Sequence, residues 1–146
     1  MLVPRIRVLS SEQDEALREY LSGFVREAAG EGVSVETLIP ATIHENDLLK
    51  TAAEQQWDLA MLVLNNILYS SGDRRASAII RNVGNLIRRI KKFGKPIVCF
   101  CGWLDEYPEM IKVAMTAGAE GCFRLQCNAV EVLPTLRRCL DRVSYV

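Results

Sequence analysis

The chain has 146 residues and no net charge at pH 7, and it is 49% hydrophobic and 25% charged, the profile of one folded globular domain rather than a disordered chain. No apolar run approaches the roughly 20 residues of a membrane helix, and the N-terminus lacks the apolar segment of a signal peptide, which indicates a cytoplasmic protein with no membrane partner. The five cysteines include no Cys-x-x-Cys pair, so we expect reduced thiols rather than a disulfide or zinc framework.

The first half of the chain predicts strand, helix, strand, helix and strand, in that order. These segments span residues 6–9, 17–28, 33–39, 42–57 and 59–64. Gly30 is expected to end the first helix, and Pro40 closes a strand expected at the edge of the sheet. The Thr42-x-x-Glu45 spacing predicts a capping box for the second helix. Residues 59–64 are all apolar, which is typical of a central strand buried on both faces of a parallel sheet.

The second half of the chain predicts helix, strand, helix, strand and helix. These segments span residues 79–90, 96–101, 108–117, 121–125 and 128–143. Asn128 and Glu131 have the spacing of a capping box, and Pro134 is expected to bend the last helix. Five strands alternating with five helices predict a single α/β domain over residues 1–146. Its doubly wound, five-stranded parallel sheet is expected in the flavodoxin-like order 2-1-3-4-5, with helices on both faces.

Three segments resemble the receiver domain of bacterial response regulators, and the resemblance extends over nearly the whole chain. They are Trp-Asp-Leu-Ala-Met-Leu at 57–62, Lys-Pro-Ile-Val-Cys-Phe at 95–100 and the more specific Ala-Gly-Ala-Glu-Gly turn at 117–121. Receivers accept a phosphoryl group on an aspartate, with the help of an acidic pair that holds Mg²⁺, a hydroxyl residue and a lysine. The acidic pair supplies oxygen ligands for the metal, and the metal and the lysine offset the negative charge that develops on the phosphoryl oxygens.

This chain has a different residue at each of the positions that carry that chemistry. The acidic pair falls on Ser10 and Ser11, the phosphoacceptor on Val63, the hydroxyl on Cys101 and the lysine on Leu125. Shifting the comparison by one or two residues restores no acceptor, because no carboxylate occurs between Asp58 and Asp73. Glu12 alone is a weak Mg²⁺ site. The resemblance therefore implies a degenerate receiver, or pseudo-receiver: a non-enzymatic protein-interaction or dimerisation module in signal transduction, not phosphorylated at the usual site.

The same architecture leaves a second function open, the binding of a small ligand or cofactor at the C-terminal ends of the strands, as in cobalamin-binding domains. The crevice there is expected to be lined by polar groups of Ser10, Ser11, Asn65, Asn66, Gly102 and Gln126. The Asp-x-His-x-x-Gly signature of cobalamin-binding domains and the phosphate loop of FMN domains are both absent. We therefore predict no bound cofactor and no metal.

Charge is distributed unevenly along the chain. Residues 1–73 contain 12 acids and 5 bases, a charge of −7, and residues 74–146 contain 6 acids and 13 bases, a charge of +7. Helical spacing places Arg81, Arg88 and Lys92 on one outer face. Such a face is either solvated or a surface for an acidic protein or the acidic half of another copy. The zero net charge and the lack of a reading module argue against nucleic acid as a partner.

Trp103, Leu104 and Tyr107 form an apolar cluster in the loop before the predicted fourth helix. These side chains either fold back over the core or make an exposed patch. Receivers commonly use the adjoining side of the domain for dimers and output partners. The resemblance therefore implies a homodimer or another protein partner at this side.

Overall fold

Five strands and five helices alternate along the chain in the computed structural model, which describes residues 4–65, 76–102, 104 and 108–143. The elements are β1 Arg5–Ser10, α1 Glu15–Ala29, β2 Ser34–Leu38, α2 Glu45–Glu54, β3 Leu59–Val63, α3 Ala76–Lys91, β4 Ile97–Cys101, α4 Glu109–Ala117, β5 Gly121–Arg124 and α5 Ala129–Asp141. The strands form one parallel sheet in the order β2-β1-β3-β4-β5, which confirms the predicted flavodoxin-like order. No helix in the described part of the chain is both long and apolar enough to cross a membrane.

The central strand β3 is buried along its whole length and separates two apolar layers. Leu59, Met61 and Val63 contribute to the layer covered by α1 and α5. Ala60 and Leu62 contribute to the layer covered by α2, α3 and α4. Successive side chains of a strand point to opposite faces, so an all-apolar strand requires helices on both sides. The helices on both faces of the sheet confirm that prediction.

The helix termini confirm one of the two predicted capping boxes. The Asn128 side chain accepts a hydrogen bond from the Glu131 N–H, and the Glu131 carboxylate accepts one from the Asn128 N–H. The Thr42–Glu45 box is wrong, because α2 begins at Glu45 and its N-cap residue is His44. The Thr42 hydroxyl instead accepts from the His44 N–H and donates to the Asp47 carboxylate.

The Ala-Gly-Ala-Glu turn before β5 is fixed by a close approach and by charge. Gly118 has φ +121°, and a Cβ at this position would lie 2.9 Å from Cγ of Lys91. Two residues later, a carboxylate oxygen of Glu120 lies 2.7 Å from the Arg142 guanidinium and 3.6 Å from the Lys91 ammonium. Burial alone would raise the pKa of Glu120, but the hydrogen bond and charge of Arg142, together with Lys91, outweigh it and lower the pKa. The turn therefore ties α3, β5 and α5 together.

Candidate functional site

The C-terminal ends of four strands meet at one edge of the sheet, where the resemblance to receivers places the positions of the phosphorylation pocket. Ser10 pairs with Met61, Val63 with Phe100 and Cys101 with Arg124 in the parallel register. This register aligns the ends of β1, β3, β4 and β5. It brings together the positions that receivers use for chemistry.

Ser11 and Val63 are joined directly across the junction of β1 and β3. Ser11 Oγ accepts a hydrogen bond from the Val63 N–H at 2.8 Å and donates to the Val63 carbonyl at 3.4 Å. Ser11 is 6% exposed and Val63 is 1% exposed. The Val63 side chain belongs to the apolar layer under α1 and α5. A serine hydroxyl bonded to backbone and a buried isopropyl group thus occupy the centre of the candidate site.

The remaining residues after β1 brace the turn into α1. Ser10 Oγ accepts from the Glu12 N–H at 3.1 Å, and Glu12 Oε1 accepts from the Asp14 N–H at 2.9 Å. Asp14 in turn caps α1 by accepting from the Leu17 N–H. Ser10 and Glu12 are buried, at 3% and 6% exposure. The carboxylate nearest the position of the receiver metal therefore bonds to the protein backbone.

Cys101 and Leu125 close the site on the β4–β5 side. The Leu125 N–H donates to the Cys101 carbonyl at 3.2 Å. Cys101 is fully buried, and Leu125 packs, partly buried, against the layer under α1 and α5. Receivers have a lysine at the position of Leu125, whereas the leucine side chain makes apolar contacts and carries no charge.

The expected polar crevice at this edge differs in detail from the sequence prediction. Ser10 and Ser11 are buried, and their hydroxyl groups bond to backbone groups. Asn65 Oδ1 accepts from the Gly102 N–H at 2.8 Å, so this amide links the ends of β3 and β4. Gln126 is exposed, and Asn66 lies outside the described residues. No observation at this edge favours a cofactor such as cobalamin, and the described residues include no group of three or more potential metal ligands of the histidine, cysteine or carboxylate type.

The predicted basic face lies on the surface of α3. Arg81, Arg88 and Lys92 are exposed, and Arg88 donates to the Asn85 side chain at 3.0 Å. Arg81 and Arg88 also border a groove of about 500 Å³ between α3 and α4. The solvated-face interpretation and the binding-surface interpretation are both compatible with this placement.

Of the two alternatives for the apolar loop cluster, Leu104 takes the first and folds back over the core, so it does not contribute to the possible interaction surface. Leu104 is only 5% exposed and packs into the layer under α2, α3 and α4, because an apolar side chain next to the end of β4 can reach the core. It therefore belongs to the core. Trp103 and Tyr107 lie outside the described residues.

Three exposed apolar side chains elsewhere were missed by sequence reasoning. Ile111 and Met115 of α4 are 43% and 44% exposed, and Val130 of α5 is 82% exposed. The signal for the first two was available, since they are four residues apart and lie off the buried Met110–Ala114 face of the helix. α4 and α5 both contact the edge strand β5, from opposite faces of the sheet.

Comparison with known proteins supports the fold assignment. No protein-family model matches the sequence, and no curated protein is significantly similar to it. Among solved structures, a CheY-like response regulator receiver domain protein from Methanospirillum hungatei JF-1 has a TM-score of 0.60 at 17% identity, covering 96% of this chain and 95% of that one.

Two response regulators give similar values. One from Thermotoga maritima has a TM-score of 0.57 at 17% identity and covers 96% of this chain and 99% of that one. One from Burkholderia pseudomallei, solved with a phosphorylated aspartic acid, calcium ion and citrate, has a TM-score of 0.53 at 14% identity and covers 90% of this chain and 65% of that one. At these identities the similarity establishes a receiver-like fold.

Proposed function

We propose that this chain is a pseudo-receiver. It is a non-enzymatic module of signal transduction that is not phosphorylated at the end of β3 and acts by binding a protein partner or a second copy of itself. The observation that carries the proposal is the pair of hydrogen bonds between Ser11 and Val63 at the receiver phosphorylation position. It is supported by the receiver-like fold, in which those residues occupy the reactive edge.

The chemistry of the site argues against phosphoryl transfer. Transfer to a receiver needs a carboxylate acceptor, oxygen ligands for a divalent cation, and a positive group for the phosphoryl oxygens. The corresponding residues here are a buried valine, two serine hydroxyls bonded to backbone groups, and Leu125. One buried carboxylate, Glu12, does not make this donor set suitable for Mg²⁺. We therefore derive no step through a metal.

We expect no phosphoryl adduct when the protein is incubated with acetyl phosphate and Mg²⁺. Intact-mass spectrometry checks this, with the Burkholderia pseudomallei response regulator, solved with a phosphorylated aspartic acid, treated in parallel as the positive control. A stoichiometric, Mg²⁺-dependent adduct would contradict the proposal. In that event Glu12→Gln and Asp14→Asn would locate it, since these two carboxylates follow β1 at the same edge of the sheet.

The interaction surface is proposed to lie on the side formed by α4, β5 and α5. Ile111 and Met115 of α4 and Val130 of α5 are exposed apolar side chains. The two helices that carry them contact β5, the strand at this edge of the sheet. Arg137 and Arg138 are exposed bases of α5 and follow Val130 by about two helical turns. An apolar centre with a charged border is the usual composition of a protein interface.

Met115→Glu is expected to weaken self-association at least about tenfold, because it buries an unpaired charge in the proposed interface. Sedimentation velocity over a concentration series measures the effect. The matched control is Ile43→Glu, which replaces a residue of similar exposure, 41%, in the segment before α2. If both variants dissociate equally, or if Met115→Glu does not dissociate, this surface does not mediate self-association.

A further inference from the structure

A groove of about 650 Å³ lies at the N-terminal edge of the sheet, opposite the edge that contains Val63. Its lining comes from the start of β1, the end of α2 and the segments before β3 and β4: Arg5, Arg7, Ala52, Ala53, Gln55, Gln56, Trp57, Asp58, Phe93 and Lys95. Small-molecule sites typically have volumes of roughly 300–1,000 Å³. The groove is therefore large enough for a small organic ligand.

The groove exists because α2 covers only part of its face of the sheet. Leu9, near the end of β1, packs in the same apolar layer as Leu48 and Ala52 of α2. Arg5 and Arg7 point to that same face by strand alternation, but they lie nearer the start of the strand. α2 ends at Glu54, and the sheet beyond this end bears charged instead of apolar side chains.

Three cations line the groove, and two of them form ion pairs with one carboxylate. Glu36 Oε2 lies 3.4 Å from Nε of both Arg5 and Arg7. Neither guanidinium makes a further side-chain hydrogen bond within the described residues, so their terminal N–H groups are available to a ligand. Lys95 is exposed and forms no ion pair in the same part of the chain. The Asp58 carboxylate already accepts from the Arg7 N–H at 2.8 Å.

The net positive charge of these groups favours an anionic ligand. The lining residues have a formal charge of +2, and the adjacent Glu36 reduces it to +1. Paired guanidinium groups bind phosphate and carboxylate oxygens through parallel N–H groups. An ammonium adds a third donor without a geometric requirement.

An aromatic surface lies beside these cations. Trp57 is 5% exposed and fixed by the hydrogen bond from its Nε1–H to the Ala52 carbonyl at 3.0 Å. The Phe93 ring packs edge-on against it with centroids 6.2 Å apart, and remains 40% exposed. Gln55 and Gln56 add exposed amide groups. An exposed aromatic ring next to amide donors and acceptors is suited to stack on a base and bind its edge.

We infer that the N-terminal groove binds a nucleoside monophosphate. The phosphate contacts Arg5, Arg7 and Lys95, and the base lies against Phe93. This site shares no residue with the degenerate phosphorylation pocket, so the inference does not depend on the proposed function. Phosphate and base are both required, because the cations alone or the ring alone provide only part of the contacts.

Fluorescence titration tests the site, since Trp57 lines it and the chain has only two tryptophans. In a Trp103→Phe background, AMP or GMP is expected to give a saturable change in emission. Adenosine and inorganic phosphate are expected to bind at least about tenfold more weakly, because each lacks one set of contacts. Arg5→Gln and Lys95→Gln are each expected to weaken AMP or GMP binding about tenfold. Lys112→Gln, which removes an exposed cation of α4, is the matched control and is expected to have no effect.

Amide chemical shifts of the unmodified chain provide a second measurement that requires no variant. AMP or GMP is expected to shift the signals of residues 5–7, 55–58 and 93–95, and not those of residues 10–12 or 101–102. No saturable response to AMP, GMP, CMP or UMP at millimolar concentrations would overturn the inference. So would equal affinity for inorganic phosphate and the nucleotide, unchanged binding in Arg5→Gln and Lys95→Gln, or shifts confined to the opposite edge.

Discussion

Val63→Asp is expected to lower the free energy of unfolding by about 3–5 kcal/mol at neutral pH, because it places an unpaired carboxylate where the side chain is buried. Val63 is 1% exposed and packs in the apolar layer under α1 and α5. The lysine position of a receiver is Leu125, which offers no charge to compensate the new aspartate. Reintroducing the acceptor is therefore expected to destabilise the domain without restoring phosphorylation.

Val63→Asn is the matched control for Val63→Asp, since it keeps the shape and polarity of aspartate but not its charge. Burial raises the pKa of an introduced carboxyl, so the folded state keeps a proton that the unfolded state loses. The difference between the two variants should then be small at low pH and grow as the pH rises through the ordinary aspartate range. Urea unfolding at several pH values measures it. A pH-independent difference, or an acetyl phosphate adduct on Val63→Asp, would show that the pocket retains the electrostatics of an active receiver.

Alkaline pH is expected to destabilise the wild-type protein under reducing conditions, because buried thiols cannot ionise without unfolding. Burial, with a smaller contribution from Cys101, raises the pKa of Cys122 to about 12. Burial also raises the pKa of Cys99, its partner in the β4–β5 register. The unfolded thiols lose protons above about pH 8.5 while the folded ones keep them, so stability is full below that pH and falls as the pH rises toward 12.

At about pH 10 the loss from Cys122 alone amounts to about 2 kcal/mol, and Cys99 adds to it in the same direction. Urea unfolding at neutral and alkaline pH, with a reductant present, measures the total. Comparison with Cys122→Ala isolates one thiol from the lysines and tyrosines that also titrate. The variant is expected to lose less stability than the wild type over the same pH interval. Equal losses would show that Cys122 ionises as readily in the folded state as in the unfolded state.

Local sequence patterns were sufficient for the elements of the fold, and the alternation of strands and helices then pointed to the flavodoxin-like strand order. The apolar run at 59–64 corresponds to β3 at Leu59–Val63, and the Asn128–Glu131 spacing corresponds to a formed capping box. These features depend on neighbouring residues of the chain, so periodicity and capping chemistry report them directly. The Thr42–Glu45 spacing failed because a pattern match does not establish which residue is the N-cap.

The candidate site was predicted in its residue identities but not in its contacts. Sequence comparison placed Ser11 and Val63 at receiver positions, but the hydrogen bonds between them join β1 to β3 across 52 positions of the chain. Sequence reasoning left open whether Leu104 is buried or exposed, because burial of a loop residue depends on the elements packed above it. Exposure and pairing of this kind are properties of the assembled layers.

The sequence by itself determined that strands and helices alternate and that no acceptor carboxylate stands at the end of β3, because periodicity and residue identity are local properties, and the alternation pointed to the strand order through a general rule of α/β folds. Only the tertiary structure decided what occupies the space at that edge and where a different site opens. Glu36 binds Arg5 and Arg7 from the neighbouring strand, and Phe93 meets Trp57 from a separate segment. Those contacts join residues distant in sequence through strand register and helix length, so the groove that they border exists only in the folded chain.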